Sequence, residues 1–434
     1  MAASEKSMRR VALTSLGGTS IEWYDFFIYG TAAALIFPTL FFPPDIPVYV
    51  GLIASFGTFA VGFIARPVGG MLFGHFGDRL GRKAALVTAM VMMGVATTLI
   101  GLLPGYETIG PFAPIFLILL RFVQGLAVGG QWGGAMLLVT ESAPPEKRGF
   151  YGAFAQAGAP VGVILANIAF LIVTASVSTE ALLDWGWRIP FLASIILIGL
   201  SLYVQLTLED TPAFKELIES SEPSEAKPRS PVVQAIKTYP KEITLAAGAF
   251  LGVQVTFYIL IVFSISYGTD PLGLALSKSD MLFAVLISTI FQVPALFFFA
   301  AWSDRHGRRG VYKWGAIVTG LWAFAMFPLI NTGSLPLIIL ALSGGQIAIA
   351  MMYGPQAALL TELFSTEVRY SGASLGYQLG AIVGGGFAPI IATSLVAFGS
   401  SVWVSGYIAL ACVLTYVSLV LLKETPVTDL DKVA

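Results

Sequence analysis

Twelve apolar stretches, each long enough to cross the hydrocarbon core of a membrane, divide this chain. About 20 apolar residues suffice for one helical span, and the chain holds six such stretches before residue 209 and six after residue 242. Only 11% of its residues are charged and 56% are apolar, a charge content about half that of a soluble domain. We therefore predict an all-α integral membrane protein with twelve transmembrane helices. The expected spans are 11–40, 48–73, 84–104, 111–140, 150–176, 187–208, 243–268, 281–302, 311–331, 334–361, 370–398 and 401–422.

The second half of the chain repeats landmarks of the first. The charged turn at 74–83 returns in degraded form at 302–309, so that Asp78 is matched by Asp304. Repetition at half-length predicts two six-helix bundles related by pseudo-two-fold symmetry. Between them lies a stretch rich in Glu, Lys, Pro and Ser, which is typical of a solvated linker. The expected units are an N-terminal bundle at 1–208, a cytoplasmic linker at 209–242 and a C-terminal bundle at 243–434.

The basic residues predict how the spans are oriented. With both termini on the cytoplasmic side, 20 of the 24 lysines and arginines fall in the termini or in loops on that side. Membrane proteins keep positive charge on the cytoplasmic side, and an odd number of spans would spoil this distribution. We predict a multi-pass protein of the cell inner (plasma) membrane, surrounded by lipid bilayer, with both termini in the cytoplasm.

Four ionisable side chains fall inside the predicted spans: Glu22, Asp25, Arg66 and Arg121. A charge in hydrocarbon costs at least ~2.5 kcal/mol, so each needs a partner or a watery cavity. On a helix the two acids and Tyr29 fall within about 60° of one another. With both acids ionised the four charges sum to zero, so one added proton would be balanced by an anionic substrate. We predict that Asp25, Glu22 and Arg121 carry proton coupling. Two alternatives are a fixed ion pair of the acids with Arg121, and an Arg66 that extends to the lipid headgroups.

Uncharged polar and aromatic residues line the spans of the second half, which suggests that this half shapes the substrate pocket. Each of these residues is alternatively an interhelical hydrogen-bonding group. Arg188, which follows Trp185 and Trp187 at the start of a span, is alternatively an anchor at the membrane interface. Two embedded arginines favour an anion or zwitterion as substrate over a cation. The predicted substrate-binding residues are Arg66, Tyr29, Gln131, Trp132, Arg188, Gln254, Tyr258, Tyr353, Tyr377 and Gln378.

The charged turns predict a cytoplasmic gate. A carboxylate there can meet the N-terminus of a neighbouring helix, and basic residues can meet helix C-termini or acids. Contacts of this kind form in one conformation and break in another. The alternative is a plain basic anchor, which explains the arginines but not the repeated aspartate. The predicted gate residues are Asp78, Arg79, Arg82, Glu141, Arg148, Asp304, Arg305, Arg308, Glu362 and Arg369.

Several function classes lack their sequence signatures. The chain has no G-x-x-x-x-G-K-[ST] motif, so ATP is not expected as the energy source. Its two histidines, His75 and His306, lie in the charged turns, which leaves no expected metal site and no nucleophile–histidine pair within the spans. We predict neither an enzyme nor a nucleic-acid partner, and no cofactor beyond protons as the coupling ion.

Twelve spans with D-R-x-G-R turns resemble the major facilitator superfamily over essentially the whole chain and, more narrowly, the metabolite:proton symporter family. In layout the chain is most similar to the bacterial shikimate transporters of that family. The resemblance implies that Asp25 and Arg121 take part in coupling, and that Arg66 and Arg188 face a substrate carboxylate. Many members carry a glutamate where this chain has Gln131. The motifs that carry the resemblance are 22–26 (EWYDF), 65–67 (ARP), 121–125 (RFVQG), 187–191 (WRIPF) and 384–389 (GGGFAP).

The predicted function is therefore secondary active transport. We expect proton-coupled uptake of a small organic acid, such as shikimate or a related carboxylate, by alternating access of a single functional chain. The alternatives are a facilitator or exporter without proton-driven import, a symporter of zwitterions such as proline or betaine, and a receptor that binds a ligand without moving it.

Overall fold

The computed structural model describes residues 5–80, 82–129, 139–140, 143–208, 236–363 and 369–422. Within these ranges the side chains of 5–7, 10, 74–80, 82–86, 145, 200–201, 204–208, 361 and 369–371 are not described. The described chain forms twelve long helices, because a membrane-spanning backbone must satisfy its hydrogen bonds within the segment. They are α1 Glu5–Leu35, α2 Val48–Leu80, α3 Arg82–Leu102, α4 Phe112–Gly129, α5 Arg148–Ser176, α6 Arg188–Leu208, α7 Pro240–Thr269, α8 Lys278–His306, α9 Arg308–Ile330, α10 Leu335–Leu363, α11 Arg369–Gly380 continued by Ala381–Gly386 and Ala388–Phe398, and α12 Ser401–Leu421.

The length and apolar character of these helices agree with the predicted fold class. Among the described residues, nine helices can each cross a membrane, and the bent pair Thr179–Gly186 and Arg188–Gly199 forms a tenth span. The remaining two spans are α1, which carries Glu22 and Asp25, and α3, whose apolar part Val87–Leu102 is short. The protein is an all-α integral membrane protein of twelve spans in two six-helix bundles. The predicted bundle boundaries stay a prediction, since 209–235 lie outside the described residues.

Glycines let helices approach closely within the first bundle. A Cβ on Gly129 of α4 would lie 2.0 Å from the carbonyl oxygen of Arg66, and one on Gly125 would lie 2.3 Å from that of Gly62. Real Cβ atoms do not approach that closely, so the backbones of α2 and α4 require glycine at these contacts. This contact places Arg66 beside the C-terminal half of α4.

The two bundles meet along α2–α11 and α5–α8. Gly386 of α11 packs on the Phe63 ring of α2, and the Phe154 ring of α5 lies 4.8 Å from that of Phe297 in α8. The helix α11 is interrupted by a π-helical segment, Ala381–Gly386, directly before a helix with Pro389 in its first turn. A proline and a π-helical segment are known causes of helix bending.

The break between α8 and α9 is a single residue. Gly307 has φ 88°, and α9 begins at Arg308. Such a φ favours glycine because it lacks a Cβ. The backbone of α2 likewise continues through Asp78 to Leu80, and α3 begins at Arg82. The charged turns are therefore shorter than the sequence pattern suggests, and most of their residues belong to helix ends. Below, the end of the molecule where α8 meets α9 is called the charged-turn end, and the opposite one the far end.

Candidate functional site

Arg66 lies fully buried in α2, with 1% of its surface exposed. Its guanidinium carbon is 4.4 Å from the ring centre of Phe26, 4.5 Å from that of Phe63 and 5.3 Å from that of Trp23. Aromatic faces attract a cation, and the attraction grows when water is excluded. The Nε and one terminal nitrogen of Arg66 still have no hydrogen-bond partner among the described residues. The aromatic rings hold the cation in place, while donors remain free to bind an anion.

Arg121 of α4 is buried beside it and has the same character. Its guanidinium carbon lies 4.1 Å from the ring centre of Tyr29 and 4.2 Å from that of Phe26. One terminal nitrogen donates to Gln124 at 3.0 Å, and Gln124 in turn donates to Thr97 of α3 at 2.7 Å. The other terminal nitrogen and Nε lack partners in the described part of the chain. Arg66 and Arg121 are within electrostatic range of each other, so the site concentrates positive charge.

The second bundle contributes polar groups to Arg66. The hydroxyl groups of Tyr258 in α7 and Tyr377 in α11 are in polar contact with its guanidinium. Tyr377 also contacts the side chain of Gln254, and Tyr353 of α10 lies within electrostatic range of Arg66. The structure thus brings these four predicted substrate-binding residues together around one arginine. Because they come from the opposite bundle, the site spans the junction that alternating access would open.

The two acids of α1 occupy different surroundings. Glu22 interacts electrostatically with Arg66 and with Tyr377. Asp25 is fully buried and lies beside Ser194 of α6. Neither carboxylate oxygen of Asp25, nor the Ser194 hydroxyl, completes a hydrogen bond among the described residues. The acids remain within electrostatic range of each other, but only Glu22 adjoins an arginine of the site.

The remaining predicted binding residues are dispersed. The Tyr29 hydroxyl donates to Thr58 at 2.7 Å while its ring covers Arg121. Gln378 is buried in α11, with its amide oxygen unpartnered among the described residues. Arg188 lies elsewhere: its guanidinium donates to the carbonyls of Gly101 and Leu103 at 2.8 and 2.9 Å, and thus ties α6 to the end of α3. Gln131 and Trp132 lie outside the described residues.

At the charged-turn end, a carboxylate holds the two bundles together. Asp304 of α8 accepts hydrogen bonds from the backbone amides of Gly149 and Phe150, each at 2.9 Å. Those amides begin α5, where unpaired N–H groups and the helix dipole favour a negative charge. Asp304 is also paired with Arg308, whose Nε lies 3.5 Å from Glu362 of α10. This second contact is an ion pair without hydrogen-bond geometry.

Glu362 lies beyond the apolar span Leu335–Leu360 and is buried. Burial raises the pKa of its carboxyl above the ordinary value, although Arg308 and Arg148 oppose this shift. Of the other predicted gate residues, Arg305 is exposed. The side chains of Asp78, Arg79, Arg82 and Arg369 are not described, and Glu141 lies outside the described residues. The structure therefore brings together Asp304, Arg308 and Glu362, with Arg148 near them.

Sequence reasoning missed the aromatic rings that cover the arginines. Phe26, Phe59 and Phe63 pack on one another with centroids 5.1 to 5.3 Å apart, and Phe59 also lies 4.9 Å from the Arg121 guanidinium. The available signal was helical spacing: Phe59, Phe63 and Arg66 recur at intervals of four and three along α2, which places them on one face. An aromatic residue in an apolar span carries no distinguishing mark by itself, so only its spacing to an arginine could have identified it.

Two helical bundles that enclose buried charges at their junction define a polytopic membrane transport protein. The model of the family described as "Sugar (and other) transporter" matches residues 11–434. The chain belongs to this transporter family of the major facilitator superfamily, and hence to a class of membrane transporters rather than of enzymes.

Curated relatives agree with this assignment. The inner membrane metabolite transport protein YhjE of Escherichia coli (strain K12) is 41% identical over 96% of this chain and 95% of its own length. The shikimate transporter of the same organism is 40% identical over 96% of this chain and 95% of its own length. The proline/betaine transporter of the same organism is 32% identical over 96% of this chain and 84% of its own length. A solved D-xylose–proton symporter superposes with a TM-score of 0.75 at 18% identity, covering 96% of this chain and 98% of its own, and supports the fold alone.

Proposed function

We propose that the protein is a proton-coupled symporter that takes up a small organic acid, such as shikimate or a related carboxylate. One observation carries this proposal: Arg66 and Arg121 are fully buried side by side, and each retains unpartnered N–H donors among the described residues. Guanidinium groups bind carboxylates with two parallel hydrogen bonds. A substrate carboxylate would satisfy donors that are otherwise costly to bury.

The surrounding residues have complementary roles in this proposal. Tyr258, Tyr377 and Gln254 would reach the same anion from the second bundle, since they already contact Arg66 or each other. Binding to both bundles at once would couple the substrate to their relative motion. Tyr353 and Gln378 would border this site, while Tyr29 would hold the Arg121 guanidinium by ring contact.

The acids would supply proton coupling. Glu22, Asp25, Arg66 and Arg121 sum to zero charge when both acids are ionised. A proton on either acid leaves one positive charge, which a monoanionic substrate neutralises, so proton and substrate favour each other's binding. Asp25 is the stronger candidate for the proton carrier because its carboxylate has no hydrogen-bond partner among the described residues. Glu22, next to Arg66, would sense the substrate.

The latch formed by Asp304, Arg308 and Glu362 would close the cytoplasmic side during the cycle. In this proposal both termini are cytoplasmic, the protein resides in the inner membrane, and one chain suffices for transport. The basic residues concentrated at the charged-turn end support that orientation.

Transport by purified protein in liposomes tests the proposal. We expect uphill uptake of a radiolabelled carboxylate when the outside is acidic, abolished by a protonophore. Downhill equilibration unaffected by the protonophore would indicate a facilitator, and binding without flux a receptor. Uptake of proline or betaine that carboxylates such as shikimate do not inhibit would favour the zwitterion alternative, which the proline/betaine relative motivates.

A further inference from the structure

Two glutamines of the second bundle, Gln292 in α8 and Gln346 in α10, are fully buried, with 0% of their surface exposed. None of their four side-chain polar atoms has a hydrogen-bond partner among the described residues. A buried amide without partners costs about 1–3 kcal/mol and calls for an explanation. The charged site described above uses neither residue.

The packing of α8 on α5 fixes the depth of Gln292. These helices run antiparallel, and the ring of Phe154 faces that of Phe297 at 4.8 Å. The residue five positions before Phe297 in α8 is therefore level with the residue five positions after Phe154 in α5. Gln292 is thus level with Ala159 to within about one residue.

The packing of α5 on α1 carries this depth to the charged site. The two helices run parallel, and a Cβ on Gly162 would lie 2.6 Å from the Cβ of Trp23. Ala159 is then level with Ser20, two residues before Glu22. Gln292 consequently lies within about 3 Å of the depth of the acid that interacts with Arg66, on the opposite bundle.

Gln346 lies slightly closer to the far end than Gln292. The helices α8 and α10 run parallel, and a Cβ on Gly354 would lie 2.9 Å from both the carbonyl oxygen of Leu296 and the amide nitrogen of Ala300. Gly354 is thus level with the turn between these two residues, which places Gln346 about two residues, or about 3 Å, from the depth of Gln292. Gln346 also precedes Tyr353 by two helical turns and so shares its face of α10. That face is turned toward the charged site, since Tyr353 is within electrostatic range of Arg66.

We propose that Gln292 and Gln346 form a neutral hydrogen-bonding subsite that binds the hydroxyl groups of a hydroxylated carboxylate. The inference rests on the proposed function, because the carboxylate of the same molecule binds Arg66 and Arg121. A hydroxyl both donates and accepts, so it satisfies the NH₂ and the oxygen of an amide alike. An ammonium group would satisfy only the amide oxygens, and a quaternary ammonium group would satisfy neither the oxygens nor the NH₂ groups. The pair of glutamines therefore selects a hydroxylated acid over a betaine and over an unhydroxylated acid.

Matched probes test the subsite by calorimetric binding to the purified protein. Shikimate and cyclohexene-1-carboxylate share a ring and a carboxylate, but only the former has hydroxyl groups. We expect the unmodified protein to bind shikimate at least about tenfold tighter, and Gln292→Met or Gln346→Met to weaken shikimate binding about tenfold each. Binding of cyclohexene-1-carboxylate should stay within about twofold, since a methionine has a similar volume. Gln356→Met is the matched control, because Gln356 is equally buried but already bonded to Gln156 and Tyr312.

Equal affinity of the two probes for the unmodified protein, including no binding of either, would overturn the subsite without requiring any variant to fold. Equal weakening of both probes in the methionine variants would also overturn it. The outcome is separable from that of the proposed function: proton-driven uptake of shikimate and of cyclohexene-1-carboxylate with equal KM would sustain symport while contradicting the subsite. An Arg66→Ala variant should weaken both probes together, which distinguishes carboxylate binding from hydroxyl binding.

Discussion

The carboxylate of Asp304 accepts hydrogen bonds from the first amides of α5, including that of Gly149 at 2.9 Å, across the junction of the two bundles. Asp304 is the residue of the second half that corresponds to Asp78 in the repeated charged turn. A plain basic anchor would not need this carboxylate, whereas a latch between bundles does.

Asp304→Ala should therefore weaken closure at the charged-turn end. A lost N-terminal cap costs about 1–2 kcal/mol, equivalent to a roughly tenfold shift toward the open arrangement. The readout is the alkylation rate of a cysteine placed at Ala357, which is fully buried next to Gly152 of the opposite bundle, in a background where Cys412 is replaced. Asp280→Ala removes an exposed carboxylate from the other end of α8 and should leave the rate unchanged. Equal rates in all three proteins would show that Asp304 is not a latch.

The stability contributed by Glu362 should depend on pH. Because burial raises the pKa of this carboxyl above its ordinary value of 4.5, the folded state binds the proton more tightly than the unfolded state. Its contribution is then fully present below pH 4.5 and is lost as the pH rises through the raised pKa. The melting temperature of the unmodified protein, relative to Glu362→Gln, should fall over this window and then level off. A relative melting temperature that rises with pH would mean that attraction to Arg308 outweighs burial.

Asp25→Asn should separate accumulation from exchange. An amide cannot carry the proton, so uphill uptake driven by a pH gradient should disappear while exchange of labelled for unlabelled substrate continues. Liposomes loaded with substrate measure both activities. Asp45→Asn, which alters an exposed carboxylate in the loop after α1, is the control. Accumulation that persists in the Asp25 variant would assign the proton to another group, with Glu22 the next candidate.

Gly62 keeps room for the arginine of α4. A Cβ there would lie 2.5 Å from the Nε of Arg121, whereas one on Gly57 of the same helix would meet nothing within 4 Å. Gly62→Ala should displace the guanidinium at a cost of about 1–3 kcal/mol and reduce substrate affinity at least about tenfold. Gly57→Ala should bind normally. Similar affinities for the two variants would argue against Arg121 as a binding group.

Arg188 should prove to be structural. Its guanidinium donates to two carbonyls at the end of α3, so Arg188→Ala should lower the stability by about 1–2 kcal/mol. Thermal unfolding measures this loss, and initial uptake rates should give an unchanged KM. Arg66→Ala should behave in the opposite way, with a raised KM. A raised KM for the Arg188 variant would restore the role that the family resemblance implies.

The class of fold follows from the amino-acid sequence alone. Twelve apolar stretches of sufficient length can only become helices in a bilayer, because an unpaired backbone is too costly there. The half-length repeat of the charged turns indicated two bundles, and the rarity of intramembrane charge identified Glu22, Asp25, Arg66 and Arg121 as exceptional. Each of these inferences depends on local composition or on the cost of a single group.

Which of those groups meet depends on how the helices pack against one another. Helix rotation and depth are set by contacts between segments distant in the chain, such as Gly129 against Arg66, and a sequence pattern on one helix does not contain them. The fold placed Glu22 by Arg66, turned Asp25 toward Ser194, and committed Arg188 to the end of α3. It also left Gln292 and Gln346 buried without partners among the described residues, which no spacing rule could reveal because hydrogen-bond satisfaction is a property of the assembled neighbours.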